Sequence, residues 1–115
     1  MVHTETTFEV QELTELLKVM SDPTRILIAY FLQSKTYCVC EFVEMFEISQ
    51  PAISQHIRKL KQIELITETR KGQWRYFTIN KQSPYYSMVQ QILKTINPEN
   101  TKVKNVITKE KPLEC

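Results

Sequence analysis

Long apolar runs are missing from this chain of 115 residues: the longest, residues 26–32, is far too short to cross a bilayer. The N-terminus is polar and acidic, without the basic start or apolar stretch of an export signal, so a cytoplasmic protein is expected. Cysteine is scarce too. Cys38, Cys40 and Cys115 are an odd number in an unexported chain, which argues against a disulfide framework and for reduced thiols. The only histidines are His3 and His56, there is one glycine, and no repeats or low-complexity tracts occur. No strand–helix–strand pattern or catalytic partner surrounds the cysteine pair, so a thiol oxidoreductase is not expected and no residue is given a catalytic role. This length has room for one domain with one core.

What is present is mostly helical periodicity. Leu13, Leu16, Leu17 and Met20 share one helix face. Asp22 suits an N-cap and Pro23 a first helical position, predicting a helix over residues 24–32 that is apolar on nearly every side and therefore central. Val39, Phe42, Val43 and Phe46 mark a third helix. After the short turn Glu47-Ile48-Ser49, Ser49 caps a fourth, with Pro51 in its first turn. There Ile53, Ile57 and Leu60 face inward, while Gln50, Ser54, Gln55, Arg58, Lys61 and Gln62 face mostly outward. A short apolar helix, a tight turn and a polar-faced helix make the helix-turn-helix layout.

Residues 65–70 and 73–79, rich in Thr, Ile and aromatics, read as two strands. Gly72 stands between them, at a hairpin tip where positive φ is needed most. Tyr85, Met88, Val89, Ile92 and Ile96 form a last stripe. The fold class expected is therefore mainly α with a β-hairpin wing (α+β), a dimeric winged helix-turn-helix over residues 1–96. The first and last helices carry more apolar surface than so small a domain covers, so they are expected to pair across a two-fold homodimer, the alternative being that they fold back on their own core. From residue 97 to 115, two prolines and four lysines with few apolar residues read as a flexible tail.

Charge is unevenly spread. Residues 1–47 hold eight acids against Lys18, Arg25 and Lys35, whereas residues 50–80 hold Arg58, Lys59, Lys61, Arg70, Lys71 and Arg75 against Glu64 and Glu68. The second segment is a basic footprint suited to phosphates. Helix phase puts Gln50, Ser54 and Gln55 near the start of the recognition helix, where this motif meets base edges. Arg58 and Lys61 are placed for phosphates, and Arg70, Lys71 and Arg75 for backbone or minor groove beside the wing. Double-stranded DNA is the partner expected, with affinity that falls steeply with salt.

Four stretches carry a resemblance: Val19-Met20-Ser21-Asp22-Pro23-Thr24-Arg25, Cys38-Val39-Cys40-Glu41, Ser49-Gln50-Pro51-Ala52-Ile53-Ser54-Gln55-His56, and the Gly72 hairpin. Over about residues 10–95 the chain resembles the ArsR/SmtB winged-helix repressors, dimeric bacterial sensors that release operator DNA on binding a metal or metalloid, and its Cys-Val-Cys-acid box looks most like the arsenic-responsive branch. It departs from that pattern in places. Val43 stands where some arsenic sensors have a third cysteine, no cysteine precedes Cys38, and the last helix lacks the Asp and His ligands of zinc sensors.

The thiols fit such a role. Val39 marks the buried stripe of its helix, which leaves Cys38 and Cys40 pointing off it to opposite sides. Positions i and i+2 do not face each other on a helix, so an ion held by both is expected to distort or unwind the first turn. A helix N-terminus favours the thiolate, and soft thiolates suit trivalent arsenic or antimony better than four-coordinate zinc. As(III) or Sb(III) is thus the expected inducer, with no cofactor required and Cys115 the candidate third donor. Sensing of cadmium or lead, or of oxidants or persulfides, through the same cysteines is the alternative. His56 is read as touching a phosphate or packing under its helix, not as a metal ligand.

Overall fold

The computed structural model describes residues 7–110, which leaves His3 and Cys115 outside the described residues. Two helices open the chain, α1 (Val10–Met20) and α2 (Pro23–Leu32). The Asp22 carboxylate accepts from the amides of Thr24 and Arg25 at 2.8 and 3.1 Å, so the expected cap and the proline start of α2 are both present. Leu27, Ile28, Ala29, Phe31 and Leu32 are buried, which makes α2 the central helix. Arg25 ties the joint: its Nε donates to the Val19 carbonyl at 2.6 Å, answering a carbonyl left open at the end of α1.

A two-residue strand, β1 (Tyr37–Cys38), then leads into α3 (Val39–Phe46), the turn, and α4 (Gln50–Gln62). The hairpin strands are β2 (Ile66–Lys71) and β3 (Trp74–Ile79). They form an antiparallel three-stranded sheet in the order β1-β3-β2, with Tyr37 opposite Phe77 and Cys38 opposite Tyr76. The sequence reading has no β1; two residues are too few to show an alternation. Gly72 takes φ +62° between the paired Lys71 and Trp74, as the tip requires. Where α3 and α4 end, no glycine is present, and Glu47 (φ 57°) and Glu64 (φ 58°) adopt the left-handed conformation instead.

Leu16, Ile28, Phe42, Ile53, Leu60, Leu65 and Phe77 meet fully buried where the helices cross the sheet. The outer stripes divide. On α1, Leu16, Val19 and Met20 turn inward while Val10 (79% exposed) and Leu17 (59%) stay outside; on α5 (Tyr86–Leu93), Val89 and Leu93 are buried and Ile92 is exposed. Phe8 stacks on Tyr85, with ring centroids 4.9 Å apart, so the starts of α1 and α5 meet within one subunit.

The flexible tail expected from residue 97 is corrected for its described part. Asn100 caps a helix, α6 (Thr101–Ile107), by accepting from the Lys102 amide at 2.9 Å, and Val103 and Val106 are buried. Two valines three residues apart suffice to dock it, although lysines dilute the pattern. Beyond the helix, Glu110 pairs with Lys35 and accepts from the Tyr37 hydroxyl at 3.2 Å. Burial and that carboxylate push the Tyr37 hydroxyl up, so it stays protonated and donates.

Candidate functional site

Cys38 is not the first residue of α3 but its N-cap, with extended backbone (φ −98°, ψ 168°), and Cys40 lies in the first turn. The Cys38 amide donates to Glu41 Oε1 at 2.8 Å, one half of a capping box that fixes this bend. The two sulfurs therefore lie 2.9 Å apart. The expectation that they point to opposite sides is overturned, because helical phase does not apply to a residue outside the helix. Cys38 is also only 3% exposed, so it is packed inside rather than turned away from the buried stripe. Adjacent sulfurs suit two chemistries: both ligate one soft ion, or they join on oxidation.

The pair opens onto a pocket of about 350 Å³ walled by Val39 and Val43 of α3, Gln50 of α4, and Gln73, Trp74 and Arg75 of the hairpin. Among the described residues no group of three or more His, Cys, Asp or Glu could hold a metal ion. Two convergent sulfurs fit the donor needs of a trivalent metalloid, whereas tetrahedral zinc needs four ligands that the described residues do not bring together.

Of the DNA candidates, Ser49 caps α4 by accepting from the Ala52 amide at 3.2 Å, and Gln50, Gln55 and Arg58 are exposed on that helix. Ser54, Arg58, Lys61 and Arg75 line one cleft of about 240 Å³ between α4 and the wing. Arg70 and Lys71 stand exposed at the tip, apart from that cleft. The residue that sequence reasoning missed is Glu68. It accepts from Arg75 Nε and Nη2 at 2.7 and 3.2 Å and from Lys61 Nζ at 2.6 Å, with Arg70 Nε at 3.5 Å. The Arg75 hydrogen bond, helped by Lys61 and opposed by burial, holds its carboxyl down at about 2. A clue was available in the register: Arg70 and Arg75 are direct cross-strand partners, and like charges there call for an acid on the diagonal.

His56 resolves toward packing. Arg25 Nη1 lies 3.1 Å from its Nδ1, and Asp22 is 4.0 Å away. Burial, reinforced by Arg25 and opposed by Asp22, lowers its pKa, so the ring is neutral at pH 7 and accepts from the guanidinium. It links α4 to the α1–α2 joint.

A helix-turn-helix with a polar recognition helix and a basic hairpin beside it defines a winged-helix DNA-binding regulator. The sequence pattern described as "Bacterial regulatory protein, arsR family" matches residues 22–68. The chain is 34% identical over 87 residues to the arsenical resistance operon repressor of Staphylococcus xylosus, covering 76% of this chain and 82% of that protein. It is 40% identical over 68 residues to the transcriptional repressor SdpR of Bacillus subtilis (strain 168), covering 59% and 76%. Reduced HlyU from Vibrio cholerae superposes with a TM-score of 0.64 at 25% identity, covering 73% of this chain and 87% of that one. This chain belongs to the ArsR family of bacterial transcriptional regulators.

Proposed function

We propose that this protein is a cytoplasmic homodimeric repressor that holds a palindromic operator and releases it when As(III) or Sb(III) is captured by Cys38 and Cys40. The observation that carries the reading is the convergence of the two sulfurs in a pocket whose other walls are α4 and the wing. Relatives named as arsenical resistance operon repressors support the choice of ligand. Exposed Val10 and Leu17 on α1 and Ile92 on α5 support pairing through these two helices.

Arsenite capture exchanges two S–H and two As–OH bonds for two As–S bonds and two waters, with arsenic trivalent throughout. The sulfurs already converge, so α3 need not unwind to bring them together. Cys115 is the proposed third sulfur. Glu110, five residues earlier (110 to 115), is held by Lys35 and Tyr37 beside the strand that ends at Cys38, which shortens the segment to be ordered. Gln50, Ser54 and Gln55 face bases in this reading, and Arg58, Lys61, Arg70, Lys71 and Arg75 face the backbone.

Complete reversal of operator occupancy requires the ligand to favour the released form by about 5.5 kcal/mol. Cys38→Ser and Cys40→Ser should each keep operator affinity within a few-fold and abolish arsenite-driven release, read by fluorescence anisotropy of a labelled operator. Full release from the double variant would overturn the metalloid reading. Release by peroxide but not arsenite would establish the oxidant-sensing alternative, and release by cadmium or lead alone the metal one.

A further inference from the structure

Trp74 is the only tryptophan in the chain and stands first in β3, 39% exposed, at the lip of the thiol pocket. In the register that sets Cys38 opposite Tyr76, Trp74 lies two residues nearer the tip on the same sheet face, a diagonal neighbour of the thiol strand. Its chain neighbour Arg75 lines both this pocket and the cleft of Ser54, Arg58 and Lys61. Arg75 is in turn joined through Glu68 to Lys61 on α4. The shared pocket, the chain step from Trp74 to Arg75 and the Glu68 hydrogen bonds thus lead from the sulfurs to the recognition helix, with Trp74 at the lip of the pocket on the wing.

We propose that Trp74 couples the thiol site to the DNA-reading surface: the indole closes over a metalloid held by Cys38 and Cys40 and draws the wing out of the spacing from α4 that the operator requires. The inference rests on the metalloid reading above. Val39, Val43 and the indole leave the pocket with an apolar side, and a captured metalloid gives the exposed indole a surface to close on. Recognition helix and wing contact one duplex together, so displacing the wing changes the fit of both. Trp74 is on this account a positioning residue that neither ligates the ion nor reads DNA.

A single tryptophan makes the test clean. Reduced protein, freed of reductant and off DNA, is titrated with sodium arsenite while red-edge tryptophan emission and the number of titratable thiols are followed. The indole signal should shift and saturate in step with loss of the Cys38 and Cys40 thiols. Operator affinity is then measured with and without arsenite for wild type, Trp74→Ala and Trp74→Phe, each against its own arsenite-free value. Trp74→Ala should still protect its thiols but lose at least 10-fold of the arsenite-induced ratio, and Trp74→Phe should recover most of it. An unchanged ratio in Trp74→Ala, or a silent indole in wild type while both thiols are captured, overturns the coupling and leaves the repressor reading standing. Wild type that captures no arsenite overturns both.

Discussion

The two faces of the wing sheet differ in kind. One, the soft face, carries the Cys38 thiol with Tyr76 and Trp74 beside the pocket, and Thr69 and Lys71 across the hairpin; the other, the hard face, sets Glu68, Arg70 and Arg75 beside the cleft, outward of the buried Tyr37, Ile66 and Phe77. Strand alternation separates them by one residue, Trp74 from Arg75. The soft face is shaped by backbone: Cys38 reaches Cys40 because it is extended and capping, not helical. The hard face is shaped by side chains, three cations gathered on one carboxylate. The proposed thiol site and the proposed DNA-facing cleft thus share a few residues of strand, and each can be altered by substitutions that leave the other's side chains in place.

The heaviest blow to both faces at once is Phe77→Ala. Phe77 is fully buried opposite Tyr37 and lies 5.5 Å beneath the Arg75 guanidinium, so it supports the thiol strand and the charged brace together. Removing the ring should destabilise the domain by about 3–5 kcal/mol, measured by urea unfolding, with arsenite capture and operator binding failing together. Loss of one without the other would show that the faces do not share this support.

Glu68→Gln should separate them. The brace is a set of charge-assisted hydrogen bonds, and neutralising the carboxyl should cost on the order of 2 kcal/mol of stability while thiol capture of arsenite is unchanged. The folded chain keeps Glu68 ionised down to about 2, against an ordinary value of 4.5, so protons bind the unfolded state first. Its stabilisation is complete above pH about 4.5 and is lost as pH falls from there through about 2. An acid titration of unfolding free energy should show this decline in wild type and a shallower one in Glu68→Gln. With Lys61 and Arg75 released toward the duplex, the variant should also bind DNA with a steeper salt dependence.

How much of this was readable beforehand follows the range of the interactions. Asp22-Pro23, Ser49, Gly72 and the inward stripe of α4 are local signals, and each acts in the structure as its chemistry requires. The convergence of Cys38 and Cys40 was missed through a boundary of one residue: counted as helical, Cys38 points away from Cys40, whereas as the extended N-cap, held by Glu41 and paired in β1 with β3, it turns toward it. Glu68 escaped for a related reason: counted along the chain it is one acid among bases, and only cross-strand register sets it between Arg75 and Arg70. Helix α6 was hidden by its lysines, since Val103 and Val106 reveal a face only once a core is there to receive them.

The smallest change tests the joint on which the comparison turns. Recognition helix passes to wing at Glu64, whose amide donates to the Lys61 carbonyl at 2.9 Å while the Leu65 amide donates to that of Leu60 at 3.1 Å. This pair of bonds is a Schellman motif, and its left-handed position favours glycine over any residue with a Cβ. The chain spends its only glycine at the hairpin tip and tolerates glutamate here. Glu64→Gly removes the steric penalty but adds freedom to the unfolded chain, so the net gain should be about 0.5 kcal/mol and below 1. Differential scanning calorimetry should show a small rise in Tm, with operator affinity and arsenite response unchanged. A fall in Tm would mean that this joint draws its angle from the Glu64 side chain rather than from backbone geometry, and the two faces of the wing would then be aimed by a residue that lies on neither.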